Sequence, residues 1–174
     1  MANKRSGNLG RKLVNKYELI DRLKGTIDEN TLIVCIGTPR VYWDKTSCIV
    51  GTLLTEKYNI KNVLGTYDDP VHALNLEERI KNIKHNNILA IDSCVAADNK
   101  KVGDILFGKD MPVIPGAYRN KKLPHVGNNS ILAITIREED TINNYKKYGS
   151  VKEENIIRNM AIEIAWSIKE ALTN

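Results

Sequence analysis

The sequence predicts an α/β protein built on an open, mixed sheet with helices on both sides. Three observations carry that expectation. Short continuous apolar runs, TLIVCIG at 31–37 and NILAID at 87–92, suit strands buried on both faces. Amphipathic segments, with apolar residues at three- and four-residue steps, alternate with such runs. In the later part of the chain, strand-like runs follow one another with no helix between them, which mixes strand directions.

Residues 1–10 carry Asn, Lys, Ser and Gly and read as a frayed tail. Leu13, Val14, Tyr17, Ile20 and Leu23 then predict a helix over 11–25, ended by Gly25. Asp28, Glu29 and Asn30 make a turn into the strand 31–37. Ile49, Val50, Leu53 and Leu54 are the apolar face of a second helix. A weak strand covers 62–67. Pro70 precedes a helix over 71–84 that buries Leu74, Leu76, Ile80 and Ile83. The strand 87–92 follows, then strands over 102–107, 112–118 and 130–136. Residues 151–172 form the clearest helix, with Val151, Ile156, Met160, Ile164, Ile168 and Leu172 on one face.

The chain has 174 residues, enough for a proper core, and one domain over 1–174 is expected. Hydrophobic residues at 42% and charged ones at 27% argue against disorder. No apolar run reaches the roughly 18 residues of a membrane span. The basic start MANKRSGNLGRK lacks an apolar h-region, so neither a secretory signal nor a prosequence is expected. Net charge is +5, with small basic clusters at 3–12, 119–122 and 146–152 but no stripe interleaved with aromatics. A solvated basic surface is the reading, and a nucleic-acid module is not signalled. Cys35, Cys48 and Cys94 form no CxxC pair and read as reduced thiols of a cytoplasmic protein. Cys48, near a predicted helix start, is the best placed of them for reactivity.

Ligands of an open α/β sheet bind beyond the carboxyl ends of its strands. Two aspartates stand at that level: Asp44 in the long loop after 31–37, and Asp92 at the end of NILAID. Singly, Asp44 reads as a helix N-cap and Asp92 as a turn former. On adjacent strands they would meet over one crevice, sharing a proton or a divalent cation. The loop CIGTPR offers Gly37 and Thr38 amides to an anion, although it has neither the GxGxxG nor the Walker pattern. Arg40 reads equally as an anion contact or as an ion-pair partner of either aspartate. His72, His85 and His125 do not have ligand spacing; His125 in LPHVG lies among loop residues within reach of the same crevice, and reads otherwise as an exposed loop histidine. No metal and no cofactor are therefore expected.

Taken in order, CIGT with Arg40, Asp44 and Val50-Gly51, then LGTYDDPVHALNL, AIDSC and PGAYRNKKLPHVGNNSI resemble the YyaC sporulation-protein family over roughly residues 31–136. That family resembles in turn the germination protease of endospore formers and the hydrogenase-maturation endopeptidases. The resemblance implies a three-layer αβα sandwich with a mixed, mostly parallel sheet. It implies an aspartic-type pair, which falls on Asp44 and Asp92; the loop readings above put Gly37, Thr38, Arg40 and His125 on the substrate side. It also implies the cytoplasm of a sporulating cell or forespore. The chain departs from the family pattern at Pro39, where an acidic residue is usual, and at Val41, Tyr42 and Trp43, where small ones are. Lys45, Thr46, Ser47 and Cys48 replace a Ser-Leu-Gly-Pro run, and Tyr118 and Arg119 replace a glycine and an apolar residue. Bulky rings would narrow the crevice, and Lys45 beside Asp44 would favour the ionised carboxylate.

Two functions follow, beside a third, a small-molecule or nucleotide binder at the CIGTPR loop. One is peptide-bond hydrolysis of a spore protein by the aspartates. The other is a non-catalytic sporulation protein that binds a peptide or protein partner in the same crevice. The first and last helices are expected to cover the sheet or to form a homo-oligomer contact.

Overall fold

The structure, a computed structural model, describes residues 10–97, 99–116, 122–143 and 149–173. The expected tail at 1–10, most of it, and Tyr118 and Arg119 lie outside the described residues. In chain order the elements are β1 (Lys12–Val14), α1 (Lys16–Lys24), β2 (Leu32–Cys35), α2 (Thr46–Thr52), β3 (Val63–Leu64), α3 (Leu76–Ile80), β4 (Ile88–Ala96), β5 (Ile105–Gly108), β6 (Asn129–Arg137), α4 (Glu138–Asn143) and α5 (Val151–Leu172). A single 3₁₀ turn, Tyr42–Asp44, precedes α2, and a wider π turn, Leu53–Lys57, continues it.

The six strands form one sheet in the order β1-β5-β6-β4-β2-β3. β3, β2, β4 and β6 run parallel, while β5 is antiparallel to both β6 and β1. The mixed, mostly parallel sheet is thus confirmed, and β2, whose following loop carries Asp44, neighbours β4, which carries Asp92. Alternation sorts the side chains. Ile33, Cys35, Leu89, Ile91 and Ile131 pack with Leu19, Leu23, Val50, Leu54, Ile164 and Ile168, beneath α1, α2 and α5. Leu32, Val34, Ala90, Leu106 and Leu132 pack with Val71, Leu76, Val113, Leu123 and Val126 on the opposite face.

Several expected elements change shape. The helix over 11–25 begins only at Lys16, because Asn15 caps it. The Asn15 side chain accepts from the Tyr17 and Glu18 amides at 3.0 and 3.1 Å, and Glu18 returns the bond to the Asn15 amide at 2.9 Å. Lys12–Val14 pairs instead with Ile105–Phe107 as an edge strand. The helix over 71–84 shrinks to Leu76–Ile80. Val71 forms a parallel bridge with Ile36, and the Asn75 side chain accepts from the His72 amide at 2.8 Å, which holds the intervening residues in a turn. Leu74, expected inside, is 70% exposed as a result. The strand over 112–118 reduces to one antiparallel bridge, Val113 with Val126, within the described part of that span. NILAID does not end at Asp92: β4 runs on to Ala96 beside β6. The last helix spans the expected 151–172, opened by a Ser150–Glu153 capping box. Among the described residues, no helix is long and apolar enough to cross a membrane.

Candidate functional site

The parallel ladder between β2 and β4 ends at Cys35 with Ile91. One further bond, from the Ile36 amide to the Ile91 carbonyl at 2.7 Å, closes it. Asp92 is therefore the first residue of β4 past β2, and it remains paired on its other side, opposite Leu132 of β6. It is 5% exposed. Its Oδ1 accepts the following Ser93 amide at 2.8 Å. Two residues further on, the β4–β6 register shifts between Cys94 and Val95, an irregularity of the kind that re-aims side chains near sites. Asp92 thus stands on a strand rather than at a strand end, held by the sheet itself.

Asp44 reaches the same level by a loop that folds back on itself. The Gly37 amide donates to the Val71 carbonyl at 2.8 Å, and the Thr38 amide donates to the Asp44 carbonyl at 3.2 Å. The Asp44 amide in turn donates to the Val41 carbonyl at 3.0 Å. Gly37 is required for this closure, since a Cβ there would lie 2.2 Å from the Asp44 carbonyl oxygen. The loop is long because it makes a closed turn over the end of β2. Both amides of the expected anion cradle are bonded within the chain. Arg40 is exposed, and among the described residues its guanidinium forms no ion pair. The N-cap of α2 is Lys45, with no side-chain cap.

Cys48 joins the two aspartates. It is fully buried, with its Sγ 3.7 Å from where a Gly37 Cβ would lie. Burial, then the Asp44 carboxylate, and to a smaller extent Asp92, push its thiol up to about 12. Both carboxylates thus act on the same thiol. Its position near a helix start does not activate it: such a position would lower the pKa, but burial and two negative neighbours outweigh it. The hydroxyls of Thr46 and Ser47, fully buried just before Cys48 in the chain, have no hydrogen-bond partner among the described residues.

His125 is placed elsewhere. It is exposed, on the segment that enters β6. Two residues on, Gly127 packs against Ala90 and the Ile88 carbonyl, and the Asn128 side chain accepts the Ile88 amide at 2.8 Å. That is the amino end of β4, four residues and about 13 Å short of Asp92 at the usual strand rise. Among the described residues, no group of three or more His, Cys, Asp or Glu side chains is placed to hold a metal ion.

The departures at 42–45 also resolve. Tyr42 is buried, but it turns towards the start of α5, where its hydroxyl donates to Glu153 Oε1 at 3.3 Å. Trp43 meets it edge-on at 5.0 Å. Lys45 donates to Glu154 Oε1 at 2.6 Å, so its ammonium has a partner other than Asp44. Glu153 and Glu154 escaped the sequence reading. The Ser-x-x-Glu pattern at 150–153 marks a helix start, but nothing local signals contact with a loop more than a hundred residues earlier.

A NiFe hydrogenase maturation protease, HycI from Thermococcus kodakarensis KOD1, has the same fold, with a TM-score of 0.52 at 15% identity over 87% of this chain and 98% of that one. The uncharacterized protein YyaC of Bacillus subtilis strain 168 is 32% identical over 154 residues, which are 84% of this chain and 72% of that protein. The family model described as "Protein of unknown function (DUF1256)" matches residues 11–168, and the chain belongs to that family, with YyaC as a relative.

Proposed function

We propose that the chain is a peptidase-like protein that cleaves a peptide bond in a protein substrate through Asp44 and Asp92. The observation that carries this reading is that Asp92, the first residue of β4 past β2, and the closed turn bearing Asp44 lie at the carboxyl ends of adjacent parallel strands. The fold shared with a maturation protease supports it. In the reaction, one ionised carboxylate takes a proton from water as the water oxygen attacks the peptide carbonyl carbon. The protonated partner hydrogen-bonds the carbonyl oxygen. Collapse of the tetrahedral intermediate then passes a proton to the departing amine. Arg40, exposed at the loop tip, is the group on this loop best placed to meet substrate. We place its action in the cytoplasm of a sporulating cell, which the family resemblance implies and the three free cysteines suit.

A second reading, partner binding without hydrolysis, is favoured by one observation: an Asp92 oxygen already accepts the Ser93 amide. Mapping new peptide termini in a sporulating-cell extract incubated with the wild type or with Asp92→Asn separates the two. Termini produced by the wild type alone support hydrolysis. Equal termini from both proteins overturn it. Equal retention of one partner by both, with no new termini, establishes the binding reading.

A further inference from the structure

The geometry points to Glu153 and Glu154, at the start of α5, as positioning residues for Asp44. This inference rests on the reading of Asp44 as a site carboxylate, and it names what holds that carboxylate in place. The loop bearing Asp44 has two side chains that leave it for the same helix start. The Tyr42 hydroxyl donates to Glu153 Oε1 at 3.3 Å, and the Lys45 ammonium donates to Glu154 Oε1 at 2.6 Å. These two residues flank the Trp43–Asp44 step, so the pair of bonds grips the 3₁₀ turn from both ends.

Each grip is built rather than incidental. Glu153 is fixed independently, because its Oε2 accepts the Ser150 amide at 2.6 Å in the capping box. Its second oxygen is thereby aimed at Tyr42. The Tyr42 ring packs so closely on Gly149 that a Cβ there would lie 2.8 Å from its Cδ2. Tyr42 is 5% exposed, and the Lys45 side chain is 15% exposed. The Glu154 side chain is 38% exposed, so the Lys45 pair is half-buried and the Tyr42 bond is the more enclosed of the two. Within the loop, Asp44 is tied by backbone bonds to Thr38 and Val41. The contacts with α5 join this turn to an element outside the loop.

Beneath the loop lies a built-in reporter. Cys48 is fully buried, with its sulfur against Gly37, whereas Cys35 is equally buried at the carboxyl end of β2, with its sulfur against Gly51 of α2. Opening the loop uncovers Cys48 alone; global unfolding uncovers both.

The test labels the full chain under native conditions with dithiodipyridine and locates the modified cysteines by peptide mass spectrometry. In the Tyr42→Phe/Lys45→Met double variant, Cys48 labelling is expected to rise about tenfold or more with Cys35 unchanged. The exchanged pair Lys45→Glu/Glu154→Lys is expected to restore most of the protection that Lys45→Glu alone removes. A purely packing role for these side chains would give no such rescue. Unchanged Cys48 labelling overturns the inference, as does a rise of Cys35 in step with Cys48. Failure of the exchanged pair to recover protection also counts against it. Labelling requires no hydrolysis. If the wild type cleaves nothing but the clasp variants unmask Cys48, the peptidase reading fails and the positioning role stands. If cleavage depends on Asp92 but labelling never changes, the reverse holds.

Discussion

On one face of the sheet, α1, α2 and α5 lay helices over Ile33, Leu89 and Ile131. On the other, Leu32, Ala90 and Leu132 are covered by the five-residue α3 and by single side chains such as Val71, Val113, Leu123 and Val126. The first cover is regular, and its apolar residues recur at helical spacing. The second is assembled from isolated residues between turns. A helix laid on a sheet buries a continuous stripe at the cost of close backbone approach, while a loop cover trades that depth for freedom of path. The two faces should therefore respond differently to mutation.

The largest effect is expected where the helical cover comes closest. A Cβ on Gly51 of α2 would lie 1.9 Å from the Gly65 carbonyl oxygen, a backbone atom. Gly51→Ala should cost about 4 kcal/mol or more, read from the urea midpoint, since neither backbone can retreat. Gly25→Ala is the control, with nothing within 4 Å of its Cβ. A Gly51→Ala protein with the wild-type midpoint would show that the helical face is looser than described.

Paired truncations sharpen the contrast. Ile164 is fully buried under the helical cover, and Leu123 is 9% exposed in the other. Ile164→Ala should cost about 3–4 kcal/mol and Leu123→Ala about 2, because a loop collapses into a cavity more readily than a helix does. Equal costs in denaturant titrations would erase the difference between the faces.

The smallest expected effect lies at their junction, in the Cys48 titration. Its folded pKa is raised to about 12, above that of an unfolded thiol. The thiol's contribution to stability is thus fully present below the unfolded pKa and is lost as pH rises through the folded one. Unfolding midpoints measured from neutral to strongly alkaline pH should fall more steeply for the wild type than for Cys48→Ala. Asp44→Asn removes one of the charges that raise the thiol, so the thiolate absorbance should appear at lower pH. An unmoved titration would separate Asp44 from Cys48.

The same contrast explains what was legible in the sequence. The helical face announces itself: Met160, Ile164 and Ile168 recur along α5, and the buried runs at 31–37 and 87–92 are continuous. The loop face does not. Leu74 falls in an apparent helical pattern, yet the His72–Asn75 turn turns it out to solvent, because a side-chain acceptor competes with the helix for the backbone. Lys12–Val14 fits the α1 pattern as well as a strand, and only pairing with β5 decides. At the site, Asp44 and Asp92 were legible from topology. Cys48 as their common neighbour was not, nor were the bonds to Glu153 and Glu154, since each depends on residues far apart in the chain.

Glu153 lies 111 residues after Tyr42, and this separation has a consequence for biosynthesis. At about 5–20 residues per second, a ribosome takes roughly 6–22 s to travel from one to the other. Throughout that interval β2 and the Asp44 loop exist without their anchor. The turn bearing Asp44 gains its bonds to α5 only after the start of that helix has emerged and formed its capping box. On the positioning role proposed above, the device that caps a helix also sets the moment at which this turn is fastened.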